Sequence, residues 1–167
     1  LIISMFPVII SSFLFGDLEI LMLELPFLAA LLGFYFFHKY PSKIFPGDSG
    51  TLLLGAVYGS VAIAGNSEII GVIALLPAVM NSFLFLSSVK RIVEHRQVTS
   101  RPTKLTQDFK LAASPEQSAP VTLLRLILTA GPLSERKIVL QIYMLASFSA
   151  VLSFASIIIQ YYFQALQ

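Results

Sequence analysis

The residues best suited to chemistry lie in the segment His38–Leu54, HKYPSKIFPGDSGTLLL, where a polar connector leads directly into an apolar run. Asp48 stands between Gly47 and Gly50 at the mouth of that run. A carboxylate at the edge of hydrocarbon is costly to desolvate, and is usually kept because it binds an ion, a substrate or a partner charge. The glycines allow a tight turn and the close approach of a phosphate or metal. The alternative is an N-cap, in which Asp48 or Ser49 accepts the first free N–H groups of a helix.

A second group of chemically active residues is the cluster Glu94–Arg96, followed by Arg101 in the same basic region. Arginine grips phosphate through a planar fork, and His95 can donate or relay a proton. An aspartate such as Asp48 suits a hard cation such as Mg²⁺, which is commonly held by few carboxylates together with substrate phosphates. The two groups together indicate a phosphate or diphosphate substrate that meets a lipid at the membrane.

The simpler interpretation of the basic residues is attraction to anionic lipid headgroups. On the residues alone, the Glu94–Arg96 cluster remains open between this role and substrate binding. Headgroup attraction is favoured for the other basic side chains of the region, namely Lys104, Lys110, Arg125, Arg136 and Lys137.

The composition requires a lipid environment for these residues. Only 12% of the 167 residues are charged and 56% are hydrophobic, whereas roughly a quarter charged is usual for soluble domains. The absence of cysteine excludes disulfides and thiolate metal sites, and two histidines are too few for a histidine-rich metal site. The sequence predicts an all-α, polytopic membrane helix bundle.

About five transmembrane segments are expected, joined by short polar stretches. The apolar segments are Leu1–Phe15, Leu25–Phe37, Thr51–Ala64, Ile69–Val89 and Ile138–Phe163. Gly16–Glu24 is interpreted as a short acidic loop or interfacial turn. Pro77 is expected to bend its segment, and Asn81 to hydrogen-bond a neighbouring helix rather than a ligand. Residues 1–167 are predicted to form a single membrane domain, in which residues 90–137 are a substrate-binding loop containing a short hairpin or helix.

The charge distribution predicts the orientation. If each apolar segment crosses once, the connector at residues 38–50 and the loop at residues 90–137 lie on the same side, and together they hold all eleven Lys and Arg residues. The opposite side holds four acids and no base: Asp17, Glu19, Glu24 and Glu68. The positive-inside rule therefore places Asp48 and the basic loop on the cytoplasmic side.

These residues resemble a known family. YPSKIFPGDSGTLLLGA (Tyr40–Ala56) is similar to the cytoplasmic motif of the polyprenyl-phosphate N-acetylhexosamine-1-phosphate transferases. The branch that transfers GlcNAc-1-phosphate from UDP-GlcNAc to dolichyl phosphate looks closest, because three further stretches resemble it. Two are Pro77–Pro102, which contains EHR, and LTAGPLSERKIVL (Leu128–Leu140). The third is the acidic turn before the second span, which falls where that branch has a non-cytoplasmic loop. The resemblance covers essentially the whole chain.

The resemblance implies roles for individual residues. Asp48 matches the acidic residue assigned to Mg²⁺ binding and catalysis, and its neighbours Gly47 and Ser49 would contact substrate. His95 and Arg96 match the motif that contacts the sugar nucleotide, while the alignment of Arg101 is ambiguous. Two acidic motifs that this family carries earlier in the chain do not occur here. We therefore expect a C-terminal fragment of a longer transferase that is inactive by itself.

The implied partners are UDP-GlcNAc, a polyprenyl or dolichyl phosphate and membrane lipid, with no nucleic acid and with a homodimer as an option. The archaeal cell membrane is the favoured location, because the chain has no glycosylation sequon and a rather short basic loop, and the endoplasmic reticulum is the alternative. Two rival functions remain open. One is a related transferase with another donor or acceptor, and the other is a membrane transporter or non-catalytic scaffold.

Overall fold

The helical architecture agrees with the sequence prediction. A computed structural model describes residues 1–89 and 100–165. The described elements are α1 (Ile2–Leu14), α2 (Leu18–His38), α3 (Gly47–Ala64), α4 (Glu68–Ala74), α5 (Leu76–Val89), β1 (Thr103–Leu105), β2 (Leu111–Ala113), α6 (Leu123–Ile127), a 3₁₀ helix (Leu128–Ala130) and α7 (Glu135–Ala165). The all-α membrane fold class is confirmed, and the predicted basic loop contains both a hairpin and a short helix.

Two of the described helices, α2 and α7, are long and apolar enough to cross a membrane alone. Helices α4 and α5 meet that test only when they are counted as one broken span. They are separated at Leu75, two residues before Pro77, because proline has no amide hydrogen to donate to the carbonyl four residues earlier. Helix α1, with 13 residues, is shorter than a span. The described residues thus hold two or three complete candidate spans, where the sequence suggested about five.

The described residues form two compact units: residues 1–75 with the part of α7 from Ala146 onward, and residues 76–145. The core of the first unit packs Met5 and Val8 of α1 against Leu31, Tyr58 and Val61 of α2 and α3. By contrast, most of α2 is exposed on every face, as expected for a helix surrounded by lipid.

Hydrogen bonds between helices supplement this core. The hydroxyl of Ser4 donates to the carbonyl of Ala74 (2.9 Å) and that of Tyr58 to Gly71 (3.0 Å), which ties α1 and α3 to α4. The hydroxyl of Ser153 in α7 donates to the carbonyl of Ile70 (2.6 Å). Since apolar contact gains little between helices in lipid, such bonds are a principal means of holding them together.

Glu24 differs from its sequence-based interpretation. It does not lie in an acidic loop, because α2 begins at Leu18 and carries Glu24 inside the helix. Its side chain is 0% exposed; one carboxyl oxygen accepts a hydrogen bond from the Ser12 hydroxyl (2.8 Å), and the other has no hydrogen-bond partner among the described residues. A buried carboxyl group that has one hydrogen-bond donor, and no ion pair among the residues that the structure describes, favours the neutral acid.

We therefore expect Glu24→Gln to keep the thermal stability of the protein, because the amide reproduces the neutral acid's shape and accepts the Ser12 bond. Glu24→Ala should lose about 2–3 kcal/mol, since it leaves a buried cavity and removes the hydrogen bond between Ser12 and Glu24. Thermal unfolding in detergent, with Ser12→Ala as the partner variant, measures both. Equal losses in Glu24→Gln and Glu24→Ala would show that the ionised carboxylate is the native form.

In the second unit, α5 holds the segment that leads into α6. Asn81 Oδ1 accepts the N–H of Leu123 (2.8 Å), and the Ser88 hydroxyl oxygen accepts the N–H of Val121 (2.9 Å). Thr122 caps α6 by accepting the N–H of Arg125 (3.1 Å). The prediction that Asn81 hydrogen-bonds a neighbouring helix is confirmed, because Leu123 is the first residue of α6.

Strands β1 and β2 form an antiparallel hairpin in which Leu105 pairs with Leu111. On its other side, Leu111 forms a bridge with Leu133, with N–H···O distances of 2.9 and 3.0 Å. Leu133 lies two residues before α7 begins at Glu135. The hairpin is therefore fixed by backbone hydrogen bonds to the chain just ahead of a candidate membrane span.

Candidate functional site

Asp48 lies in the first turn of α3, which begins one residue earlier at Gly47. Its side chain is exposed, and the carboxylate makes no hydrogen bond or ion pair to the described residues. The helix N-cap is Pro46, without a side-chain cap bond, and so the alternative in which Asp48 or Ser49 caps α3 is wrong. Within the described part of the chain, the carboxylate is therefore free for a ligand and makes no contact that the fold requires.

The glycines around Asp48 are needed by the backbone. Gly47 has φ of +64°, a left-handed conformation that side chains disfavour. A Cβ added at Gly50 would lie 2.9 Å from Cβ of Pro46, too close to be accommodated without movement. The pattern G-D-x-G is thus a tight entry into α3. The predicted tight turn beside Asp48 is confirmed, whereas contact of Gly47 or Ser49 with a substrate stays a prediction.

The connector that leads to Asp48 is folded back onto the end of α2 by His38. Nδ1 of His38 donates to the carbonyl of Ile44 (2.9 Å), and the Ser42 hydroxyl donates to the same oxygen (3.1 Å). Because a carbonyl oxygen only accepts, the proton of the neutral ring must reside on Nδ1. The backbone N–H of Lys43 also donates to the carbonyl of Phe37 (2.9 Å).

Aromatic contacts hold the His38 ring in this position. The ring stacks on Phe34 with centroids 5.3 Å apart, and Phe45 meets it edge-on at 5.9 Å. From the sequence, His38 was noted only as one of two histidines, too few for a histidine-rich metal site, and its role in positioning the connector was missed. A signal was present, since His38 follows Phe34 by one helical turn and precedes the Asp48 motif.

His38→Ala should loosen the connector without unfolding the helices. One hydrogen bond and two ring contacts amount to about 1–2 kcal/mol, or roughly tenfold faster local opening. Hydrogen exchange of the Lys43 amide in lipid nanodiscs measures this opening, and His38→Asn, which keeps a donor near the Ile44 carbonyl, should recover part of the protection. Unchanged exchange in His38→Ala would show that Ser42 and the backbone hold the connector alone.

The fit of Mg²⁺ can be judged from the carboxylates present. No group of three or more His, Cys, Asp or Glu side chains is placed to hold a metal in the part of the chain that the structure describes. Asp48 by itself offers a single exposed carboxylate, which has no partner among the described residues. Magnesium is often bound by one or two carboxylates plus substrate phosphates and waters. The residues therefore fit a Mg²⁺ that arrives with a phosphorylated substrate, and not a cation held by protein ligands alone.

The other predicted site residues are distributed differently. Arg101 is exposed, two residues ahead of β1 in the second unit. Glu94, His95 and Arg96 lie outside the described residues. Gly47, Asp48 and Ser49 are brought together in one helical turn, whereas the structure does not test the pairing of that turn with the His/Arg cluster.

Two of the basic residues expected to attract lipid have protein partners instead. The guanidinium of Arg125 donates to four backbone carbonyls, those of Ser114, Glu116, Ala119 and Pro120. Lys104 forms an ion pair with Glu116 at 3.0 Å, with both side chains about half exposed. For Arg125 the structure favours a structural role over headgroup attraction, because both terminal nitrogens of the guanidinium donate within the loop. The side chains of Lys110, Arg136 and Lys137 are exposed, so that attraction to lipid headgroups stays a prediction for these three residues.

Comparison with known proteins supports a family for the part of the chain that carries Asp48. Residues 1–66 match glycosyl transferase family 4. This range contains α1, α2, the connector and the whole of α3. The polyprenyl-phosphate sugar-1-phosphate transferase superfamily suggested by the sequence is thereby supported, and the GlcNAc–dolichyl branch is not singled out.

Curated relatives extend the match beyond this range. A glycosyltransferase-type protein of Methanocaldococcus jannaschii is 34% identical over 127 residues, which are 75% of this chain and 40% of that protein. Two phospho-N-acetylmuramoyl-pentapeptide-transferases also match. That of Nautilia profundicola is 35% identical over 61% of this chain and 28% of its own length, and that of Streptococcus thermophilus is 39% identical over 45% and 23%. The chain thus spans less than half the length of these relatives.

Proposed function

We propose that the full-length protein is a polyprenyl-phosphate sugar-1-phosphate transferase to which this chain contributes the catalytic aspartate. The observation that carries the proposal is Asp48 itself, an exposed carboxylate with no partner among the described residues, in a glycine-constrained turn within the range that matches glycosyl transferase family 4. A fold that needed this residue would use its carboxylate for a cap or an ion pair, and the described part of the chain uses it for neither.

The proposed reaction is a phosphoryl transfer with UDP-GlcNAc as donor. A phosphate oxygen of the polyprenyl or dolichyl phosphate attacks the β-phosphorus of UDP-GlcNAc, and a new P–O bond forms. The bond from that phosphorus to the bridging oxygen breaks, and UMP leaves with the bridging oxygen. The products are UMP and a lipid diphosphate that carries GlcNAc.

The residues of this chain would act by positioning and by charge. Asp48 would hold the donor diphosphate through Mg²⁺, which when bound offsets the negative charge that develops on the leaving phosphate. The free N–H groups in the first turn of α3, at Gly47 and Ser49, favour an anion beside that carboxylate. Arg96 and Arg101 would grip the phosphates as forks, and His95 would hydrogen-bond the sugar or the diphosphate.

The proposed orientation places this chemistry on the cytoplasmic side, where a nucleotide sugar is available. It rests on the concentration of all eleven basic residues in the connector and the basic loop. We propose an archaeal cell membrane as the location, with the endoplasmic reticulum as the alternative. The relative from Methanocaldococcus jannaschii favours the former.

A second donor is favoured by a specific observation. Two of the relatives transfer phospho-N-acetylmuramoyl-pentapeptide, as their names state. The same residues could bind either donor, because Asp48 and the arginines would contact the diphosphate, which both donors would share. The sugar is selected by groups that the Asp48 turn does not contain.

The test is UMP release by the purified full-length protein in lipid nanodiscs that contain a polyprenyl phosphate. One arm supplies UDP-GlcNAc, and a second supplies the nucleotide-activated N-acetylmuramoyl-pentapeptide donor. Release in either arm that requires the lipid phosphate supports transfer, and the active arm identifies the donor. Binding of a nucleotide sugar without UMP release in both arms would favour the transporter or scaffold instead.

A further inference from the structure

The tip of the β1–β2 hairpin exposes an aromatic side chain that no part of the described protein covers. Phe109 is 86% exposed, and Leu105 at the end of β1 is 65% exposed. The turn itself is well formed: the N–H of Phe109 donates to the carbonyl of Thr106 (3.0 Å), and the N–H of Thr106 donates to the carbonyl of Lys110 (2.8 Å). A hydrogen-bonded turn therefore holds the two apolar side chains away from the described protein.

The backbone of Phe109 does not explain why a phenylalanine is present. Its φ is +54°, in the left-handed region where glycine or asparagine is usual and a bulky residue is an outlier. Glycine would suit this turn better. Because neither local conformation nor packing favours a large aromatic ring here, the ring points to a function outside the fold.

The hairpin's attachment places this ring near the start of a candidate membrane span. Leu111 is bridged to Leu133, two residues before α7, whose apolar stretch is a candidate span. Paired strands lie about 4.8 Å apart and each residue advances about 3.3 Å, so that Phe109 is within roughly 12 Å of Leu133. A headgroup layer at the start of α7 would therefore lie within reach of the Phe109 ring.

The charges around the tip suit that surface. Exposed Lys110 adjoins Phe109, and Arg136 and Lys137 follow Leu133, while Asp108 and Glu135 are the acids in the same two stretches. Three positive charges against two negative charges leave a small positive excess. An exposed aromatic ring beside basic side chains is the usual composition of a protein segment at the membrane interface.

We propose that the turn Thr106–Lys110 is a membrane-interface anchor. The ring of Phe109, with Leu105 beside it, enters the headgroup layer of the bilayer that α7 crosses, and Lys110 contacts lipid phosphates. The anchor fixes the height of the basic loop above the bilayer. It is independent of the proposed transferase activity, and can be measured in a protein that turns over no substrate.

The test uses the full-length protein in nanodiscs of phosphatidylcholine with phosphatidylserine. The 167 residues contain no tryptophan, and so Phe109→Trp adds one reporter above whatever background the unsubstituted protein gives. The matched control is Gln117→Trp, an exposed position in the loop that Arg125 holds. Phe109 is too exposed for its replacement to unfold the hairpin.

We expect the fluorescence of the Phe109→Trp variant to be quenched by headgroup-proximal brominated lipids. Its acrylamide quenching constant should be roughly threefold below that of the Gln117→Trp control, because an indole at the interface is shielded from water. Equal access of acrylamide to the tryptophan in both variants would overturn the proposal. Shielding from acrylamide in Phe109→Trp without quenching by brominated lipid would also overturn it, because another protein surface would then cover the ring.

A second variant separates anchoring from folding. Phe109→Gly relieves the left-handed strain, so that the Thr106 amide should exchange no faster than in the parent protein. With Leu105→Trp as reporter, the same change should lower the brominated-lipid quenching by about half, because the larger apolar group is gone. Unchanged quenching would contradict a role for Phe109 in holding the tip at the membrane.

Discussion

Asp48→Asn in the full-length protein should lower UMP release by about a thousandfold, which corresponds to about 4 kcal/mol of transition-state stabilisation. An amide keeps the size of the side chain but removes the charge that a cation and its diphosphate need. The measurement is kcat/KM in nanodiscs, at saturating Mg²⁺ and as a Mg²⁺ titration. The variant should also require more Mg²⁺ for half-maximal rate.

The structure indicates that Asp48→Asn changes the charge at this position with little effect on folding. Because the Asp48 carboxylate has no hydrogen bond or ion pair to the described residues, its removal leaves no described group unsatisfied. The structural cost is limited to the favourable charge in the first turn of α3, about 0.3–1 kcal/mol. That energy is too small to produce the expected loss of rate through unfolding.

Glu68→Gln is the matched control for Asp48→Asn. Glu68 is also an exposed carboxylate in the first turn of a helix, α4, and is predicted to lie on the opposite side of the membrane. The Glu68→Gln variant should release UMP at nearly the rate of the parent protein. Turnover that survives in Asp48→Asn would remove Asp48 from the mechanism, and an equal loss in both variants would point to net charge or helix stability.

The Asp48 turn could be anticipated from sequence because its signals are local. The two glycines indicate a tight backbone turn, and the adjoining apolar run indicates that the carboxylate lies at the membrane boundary. What the sequence could not decide was whether that carboxylate caps α3 or faces outward. The answer depends on where the helix begins, and Pro46 with Gly47 sets that boundary.

Glu24 shows where local pattern fails. Three acids within Gly16–Glu24 indicated a polar loop, because each residue was counted by its own charge. In the structure the Ser12 hydroxyl donates a hydrogen bond to the Glu24 carboxyl group and so stabilises this polar side chain inside α2. The contact that matters is made by Ser12 of another helix, α1, and cannot be predicted from the residue pattern of Gly16–Glu24 itself.

His38 shows a different limit. Its chemistry is obvious from its type, but its use is set by the path of the connector, which brings the Ile44 carbonyl to Nδ1. Asn81 was easier to anticipate, since an amide side chain within a membrane helix has few options besides a neighbouring backbone. The role of Asn81 could be predicted because one physical constraint dominated. The role of His38 could not, because it depends on how the connector folds back onto the end of α2.

Arg125→Ala should destabilise the loop of residues 114–120 by about 3 kcal/mol. The substitution leaves four backbone carbonyls without their shared donor, and neither the N–H bond from Ser114 to Pro102 nor the exposed Lys104–Glu116 ion pair replaces it. Helix α6, which carries Arg125, has five residues and is too short to be stable alone. Hydrogen exchange of the Ala119 and Leu126 amides measures the loss, as an increase in rate of roughly a hundredfold.

Two variants test whether the fork or the charge of Arg125 is responsible. Arg125→Lys keeps the positive charge, but its compact ammonium cannot reach carbonyls on both sides of the loop, and it should recover less than half of the lost stability. Arg136→Ala removes an exposed charge next to the membrane and should change stability by less than about 0.5 kcal/mol. If Arg125 bound lipid headgroups instead, Arg125→Lys would retain the full stability of the loop, and Arg125→Ala would cost as little as Arg136→Ala. Parental exchange rates in Arg125→Lys would therefore support the lipid role and contradict a role of Arg125 in holding the loop.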